Sequence, residues 1–137
     1  MADAGDCLFC QVVRGELPAR VVLEDEHGVA FLDTSPAARG HTLVVPRVHA
    51  DDLWDADEPS ALAVMRTAHR TAALLRERLA PDGLTLRQNN GEASGQKVAH
   101  LHVHLVPRWH GDGTVGWPWP PPADVDLDAV LAELRPR

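Results

Sequence analysis

The sequence predicts an α+β fold: an antiparallel sheet of about five strands, one long helix and a short C-terminal helix. Three observations carry this. The β-prone runs before residue 50 are joined by turn residues rather than helices, one stretch at 59–80 has sustained helical periodicity, and two more alternating runs follow it. Strands grouped around a single helix, rather than strict βαβ alternation, imply hairpin and loop connections. At 137 residues the chain suits one domain spanning 1–137, with a core over about 7–110 and a tail from 111.

Each element has a local reason. Residues 7–14 suit a short helical turn before the turn-like RGELP. RVVLE at 20–24 and VAFLD at 29–33 read as strands around the turn DEHG, where Gly28 is able to take a positive φ. TSPAARG is a loop, and HTLVVP at 41–46 is a strand ended by Pro46. In PSALAVMRTAHRTAALLRERLA at 59–80, Pro59 suits the first turn. Ala61, Leu62, Met65, Ala68, Ala72, Leu75 and Leu79 recur at helical spacing, with Arg66, Arg70, Arg76 and Arg78 on the other faces. PDG at 81–83 stops the helix. LTLRQ at 84–88 alternates as a strand, NNGEASGQ is a glycine-bearing loop, and 97–106 reads as a strand. GDGTVGWPWPPP is irregular, and 124–135 suits a final short helix.

Composition excludes several classes. Twenty acidic against 13 basic residues give a net charge of −7, the wrong sign for non-specific nucleic-acid binding. A small phosphorylated ligand remains compatible, because a pocket can be locally positive. No apolar run approaches the roughly 20 residues of a membrane helix. MADAGDCLFC lacks the basic start and apolar run of a signal peptide, so the cytoplasm is the expected location and no membrane partner is expected.

HLHVHLV at 100–106 holds three of the eight histidines. In a strand His100, His102 and His104 share one face, about 6.5–7 Å apart, while Leu101, Val103 and Leu105 turn to the core. That spacing does not easily close all three on one tetrahedral metal. The row is a solvated strand face, a metal site or a catalytic array. Glycine-bearing loop residues before it favour an anion site, since loop N–H groups cradle phosphate oxygens. Imidazole can also attack phosphorus, provided the attacker is neutral.

These residues resemble the histidine-triad (HIT) superfamily, whose signature His-φ-His-φ-His-φ-φ is matched in full. CLFCQVVRGELPARVVLEDEHGVAFLDTSP, ARGHTLVVPRVH and NNGEASGQ resemble its other segments, in order, over roughly 7–110. The resemblance implies a homodimeric nucleotide-conjugate hydrolase or nucleotidyl transferase acting at the α-phosphate of purine nucleotides, with no catalytic metal required. It implies His102 as nucleophile, His104 as phosphate and leaving-group neighbour, His41 as support, and the His100 carbonyl as the group orienting His102. Asp33 falls at the position that accepts from ribose hydroxyls; its residue type equally suits a cap of the TSP turn. Asn89, Gln96 and Lys97 fall at sugar and phosphate positions. Lys97 departs from the serine usual in the Hint branch. Phe9, Val12 and Leu43 are walls for the base or simply core.

Cys7 and Cys10 are too few for a disulfide framework, and their place at the N-terminus argues against a thioredoxin-like pair. Bacterial relatives with this Cys-x-x-Cys imply structural zinc, the remaining ligands matching His49 and His100. Phosphoramidates and dinucleoside polyphosphates both remain open as substrates: Pro107-Arg108 resembles the dinucleotide branch and CLFC the bacterial Hint-like branch. Two further readings are a purine-nucleotide-binding regulatory protein with incidental hydrolysis, and a zinc hydrolase in which HxHxH itself carries the metal. His27 reads as a turn residue, His69 as lying on the exposed or flanking side of the long helix, and His110 as a surface residue of the tail. Trp117 and Trp119 read as packing or as tail residues that shape leaving-group specificity.

Overall fold

The structure is a computed structural model that describes residues 7–113 and 123–135. Helix α1 (Leu8–Val13) precedes a hairpin of β1 (Val21–Glu24) and β2 (Gly28–Leu32), then β3 (Thr42–Pro46), α2 (Glu58–Leu79), β4 (Gly83–Arg87), β5 (Val103–Arg108) and α3 (Leu127–Leu134). The five strands form one sheet ordered β1-β2-β3-β5-β4, every neighbouring pair antiparallel. This is the expected fold class. Trp117 and Trp119 lie outside the described residues.

Strand alternation splits the core between two faces. Ala30, Leu32, Val44, Val103 and Leu105 face α2, where Val64, Ala68, Leu75 and Leu79 meet them, and α3 adds Val130 and Leu134. Val29, Phe31, Leu43 and Val45 face the other way, toward Phe9 and Val12 of α1. Leu101, Val103 and Leu105 do pack in the core beneath α2.

Three local expectations need correcting. Gly28 lies inside β2 and is not among the glycines at positive φ. It is glycine for space: a Cβ there would sit 2.6 Å from the Val45 carbonyl oxygen and 2.9 Å from Thr67 Oγ1. That closeness lets Thr67 donate to Asp25 Oδ1 at 2.8 Å, tying α2 to the hairpin turn. The buried stripe of α2 is rotated from the expected one: Leu62 and Met65 are 52% and 44% exposed, while Thr67 and Thr71 are fully buried. Threonine is tolerated there because its hydroxyl is satisfied, Thr71 donating to the Thr67 carbonyl at 2.7 Å.

The histidine strand begins later than expected, at Val103. His100 and His102 precede the ladder because their stretch is held by other partners. Leu101 N–H donates to the Ala50 carbonyl at 2.7 Å, and the carbonyl of His100 is taken by a histidine ring. The three triad side chains therefore do not form one uniform row.

Candidate active site

The site lies on the α1 side of the sheet, in a cavity of about 1000 Å³. Register sets its layout. Phe31 pairs with Leu43, Leu43 with His104, and His104 with Arg87, so one row of side chains crosses β2, β3, β5 and β4. Phe9 closes the apolar end, its ring edge-on to Phe31 at 5.5 Å and to His102 at 5.2 Å between centroids. Val12 also lines the cavity.

Hydrogen bonds assign the imidazole protons. His102 Nδ1 lies 2.7 Å from the His100 carbonyl, which can only accept, so Nδ1 carries the proton and Nε2 keeps its lone pair. The Ala37 N–H donates to His41 Nδ1 at 2.9 Å, so neutral His41 carries its proton on Nε2. That proton points at His104 Nδ1, 2.9 Å away, which places the His104 proton on Nε2. The fixed backbone groups at His100 and Ala37 thus dictate three tautomers.

Burial keeps these rings neutral. It pushes His41 down to about 4, against a weaker opposing pull from Asp33. It pushes His104 down to about 3, helped by His102, His41 and Arg87. His102 is also lowered by burial, although the His100 carbonyl and Asp33 oppose the shift. At neutral pH the cluster offers lone pairs and N–H donors rather than imidazolium charge.

Asp33 caps the TSP turn and also reaches the cavity. Oδ1 accepts from Ser35 N–H at 2.8 Å, and Oδ2 lies 3.5 Å from His41 Nε2 at the cavity wall. Asn89 and Lys97 also line the cavity. Gln96 does not. Its Oε1 accepts from Gly91 N–H at 2.7 Å and its Nε2 donates to the carbonyls of Asp51 and Val98, so it braces the glycine loop. Sequence reasoning missed Phe31 and Arg87. Arg87 ends an alternating strand, but only the pairing of β4 with β5 brings it beside His104.

A second cluster adjoins the first. Cys7 Sγ lies 3.3 Å and Cys10 Sγ 3.4 Å from His100 Nδ1, and His49 Nδ1 lies 3.2 Å from both Cys10 Sγ and His100 Nδ1. A tetrahedral zinc holds sulfur and nitrogen ligands about 3.5 Å apart and two nitrogens about 3.3 Å apart. The donor set and spacing therefore fit the metal. Both imidazoles turn Nδ1 inward, and their Nε2 atoms meet Asp51 Oδ1 at 2.8 Å and the Pro46 carbonyl at 3.3 Å, the outer partners expected of metal-bound histidines. Asp51 is a further residue the sequence reading missed; its one signal is the two-residue step from His49. Burial and Cys7 push the Cys10 thiol up to about 11, so without a metal it is protonated and a poor redox nucleophile.

The metal reading of HxHxH meets a correction here. Among the described residues, His100 belongs to the cysteine cluster, His104 groups with Asp33 and His41, and His102 joins neither. The triad does not converge on one point because His100 lies outside the strand and turns Nδ1 away toward α1.

A family model described as the HIT domain matches residues 14–111. An uncharacterized HIT-like protein of Methanocaldococcus jannaschii is 41% identical over 94% of this chain and 98% of its own length. An adenosine 5'-monophosphoramidase of Schizosaccharomyces pombe is 30% identical over 96% and 97%. The crystal structure of a zinc-bound histidine triad family protein from Mycobacterium smegmatis superposes with a TM-score of 0.86 at 36% identity, covering 97% of this chain and 93% of that one. A matched family model over most of the chain, with relatives that align nearly end to end, means that this chain belongs to the HIT domain family.

Proposed function

We propose that the chain is a nucleotide-conjugate hydrolase that cleaves at the α-phosphate of purine nucleotide derivatives, phosphoramidates or dinucleoside polyphosphates, through a nucleotidyl-His102 intermediate. The observation that carries this is the His102 ring itself: Nδ1–H is committed to the His100 carbonyl and a neutral Nε2 lone pair is left in the cavity. That nitrogen attacks phosphorus and the leaving group departs with the bonding pair. Water then takes the nucleotidyl group from nitrogen and restores the lone pair. His104 Nε2–H donates to a phosphoryl oxygen, and His41 holds the tautomer that makes this possible. The free lone pairs of Asp33 accept from ribose hydroxyls, Asn89 and Lys97 flank the phosphate, and Gln96 positions the loop. Phe9, Val12, Leu43 and Phe31 cover the base. Similarity to an adenosine 5'-monophosphoramidase supports the reaction class.

Zinc on Cys7, Cys10, His49 and His100 fits the donor geometry and is proposed as structural. When bound it supplies a cross-link that fixes α1 and His100, and the chemistry at phosphorus needs no metal. Buried free thiols suit a reducing compartment such as the cytoplasm. A homodimer is supported by the edge strand β4, which exposes Leu84 and Leu86, and by the exposed Leu62 and Met65 on α2.

The test is AMP release from an adenosine 5'-phosphoramidate by wild type, His102→Ala and His102→Gln, with acid quenching to trap the adenylylated protein. Loss of at least about 10³-fold in both variants is expected. Equal, slow release by all three with AMP still bound tightly would mean a purine-nucleotide-binding regulatory protein instead.

A further inference from the structure

The row Phe31–Leu43–His104–Arg87 runs from an apolar end to a cationic one. Adjacent strands are about 4.8 Å apart, so the row spans about 14 Å, with His104 one strand short of Arg87. On the hydrolase reading above, the base lies at the Phe31 end and the α-phosphate at the two histidines. Whatever is bonded to that phosphate on the far side then extends over β4, toward Arg87.

Charge is arranged along the same line. Asp33 stands at the end of β2 beside His41, and Arg87 stands opposite His104 on the next strand and lines the same cavity. Lys97, from the glycine loop, lines the same cavity. The wall thus carries a forked guanidinium opposite His104 and an ammonium on the glycine loop, and a guanidinium binds oxyanions in a bidentate manner.

We propose that Arg87, together with Lys97, forms an anion subsite for the leaving group, so that this chain prefers nucleotide conjugates whose α-phosphate is joined through oxygen to a second oxyanion, a sulfate or a further phosphate, over those joined to an amine. The proposal rests on the hydrolase reading. In the reaction, His102 Nε2 forms the nitrogen–phosphorus bond as the phosphorus–oxygen bond to the oxyanion breaks. The sulfate or phosphate departs with the electron pair, held by Arg87. Water oxygen then bonds to phosphorus, the pair returns to Nε2, and the water protons pass to phosphate and solvent.

The experiment compares kcat/KM for adenosine 5'-phosphosulfate, diadenosine tetraphosphate and adenosine 5'-phosphoramidate in wild type, Arg87→Gln, Lys97→Gln and the double variant. The ratio of each oxyanion substrate to the phosphoramidate should fall roughly tenfold to a hundredfold in Arg87→Gln and further in the double variant. Loss confined to the phosphosulfate, or to the dinucleotide, identifies which oxyanion the subsite reads. Ratios that stay within threefold of wild type for both oxyanion substrates overturn the proposal. Lys97 is exposed on a loop, so Lys97→Gln reports on the subsite without disturbing the sheet. A binding arm uses AMP and ADP with His102→Ala protein, with and without Arg87→Gln. The preference for ADP should shrink about tenfold without Arg87, and an unchanged preference refutes the subsite. If wild type turns over none of the three substrates, the hydrolase reading has failed, and the ADP-to-AMP comparison still decides whether Arg87 binds the second anion.

Discussion

His100 joins the two clusters through different atoms. Its carbonyl fixes the proton on His102, while its Nδ1 belongs with Cys7, Cys10 and His49. The residue that orients His102 is thus the same one that meets the cysteines. The neutral, buried histidines carry a cost in acid. His41 has a folded value of about 4 against an ordinary 6.5, so between these pH values the unfolded chain binds more protons. Its contribution to stability is intact above pH 6.5 and is lost as pH falls toward 4. Urea unfolding midpoints should drop across that window and drop less in His41→Asn; parallel curves for the two proteins would show that His41 is not the group responsible. Asp25 works with the opposite charge. Burial raises its pKa, but N–H donors from His27 and Gly28, the Thr67 hydroxyl and nearby Arg70 hold it below the usual carboxylate range, so its contribution survives to lower pH.

At the scale of elements, α2 and the first hairpin meet where no side chain fits. Gly28→Ala places a methyl against the Val45 carbonyl and Thr67, and should destabilise the fold by about 1–3 kcal/mol, measured by denaturant unfolding. A change within a few tenths of a kcal/mol would mean that α2 slides away freely. By contrast Leu62→Ala, on the exposed side of α2, should stay within about 0.5 kcal/mol. Helix α1 has only six residues, too short to persist alone. If zinc holds it, Cys7→Ser and Cys10→Ser should lower the melting temperature and abolish bound zinc by metal analysis. An unchanged melting temperature together with no zinc in wild type would leave α1 held by Phe9 and Val12 packing.

For the whole molecule, the sheet ends on β4 with Leu84 and Leu86 41% and 48% exposed. An exposed apolar edge strand is a pairing surface. Sedimentation should show a dimer for wild type and a monomer for Leu84→Glu/Leu86→Glu; a monomeric wild type at micromolar concentration would remove the dimer proposal. Among the described residues no helix is long and apolar enough to cross a membrane.

Much of this was legible in the amino-acid sequence, because local chemistry determines it. Turn residues bounded the hairpin, 3.6-residue periodicity bounded α2, and alternation sent Leu101, Val103 and Leu105 to the core. The HxHxH row and Cys-x-x-Cys stood out by their spacing, while Asp33, His41 and His49 were reached through the resemblance of their segments to the family. What the sequence could not determine depended on partners distant along the chain. The buried arc of α2 turned on whether Thr67 and Thr71 found acceptors, which Asp25 and a helix carbonyl supply. The splitting of the histidine row depended on Ala50, His49 and the cysteines reaching His100. Arg87 became part of the site only through the register of β4 against β5. Periodicity specifies which face of an element is apolar; only the packed chain specifies what each polar group on that face finds opposite it.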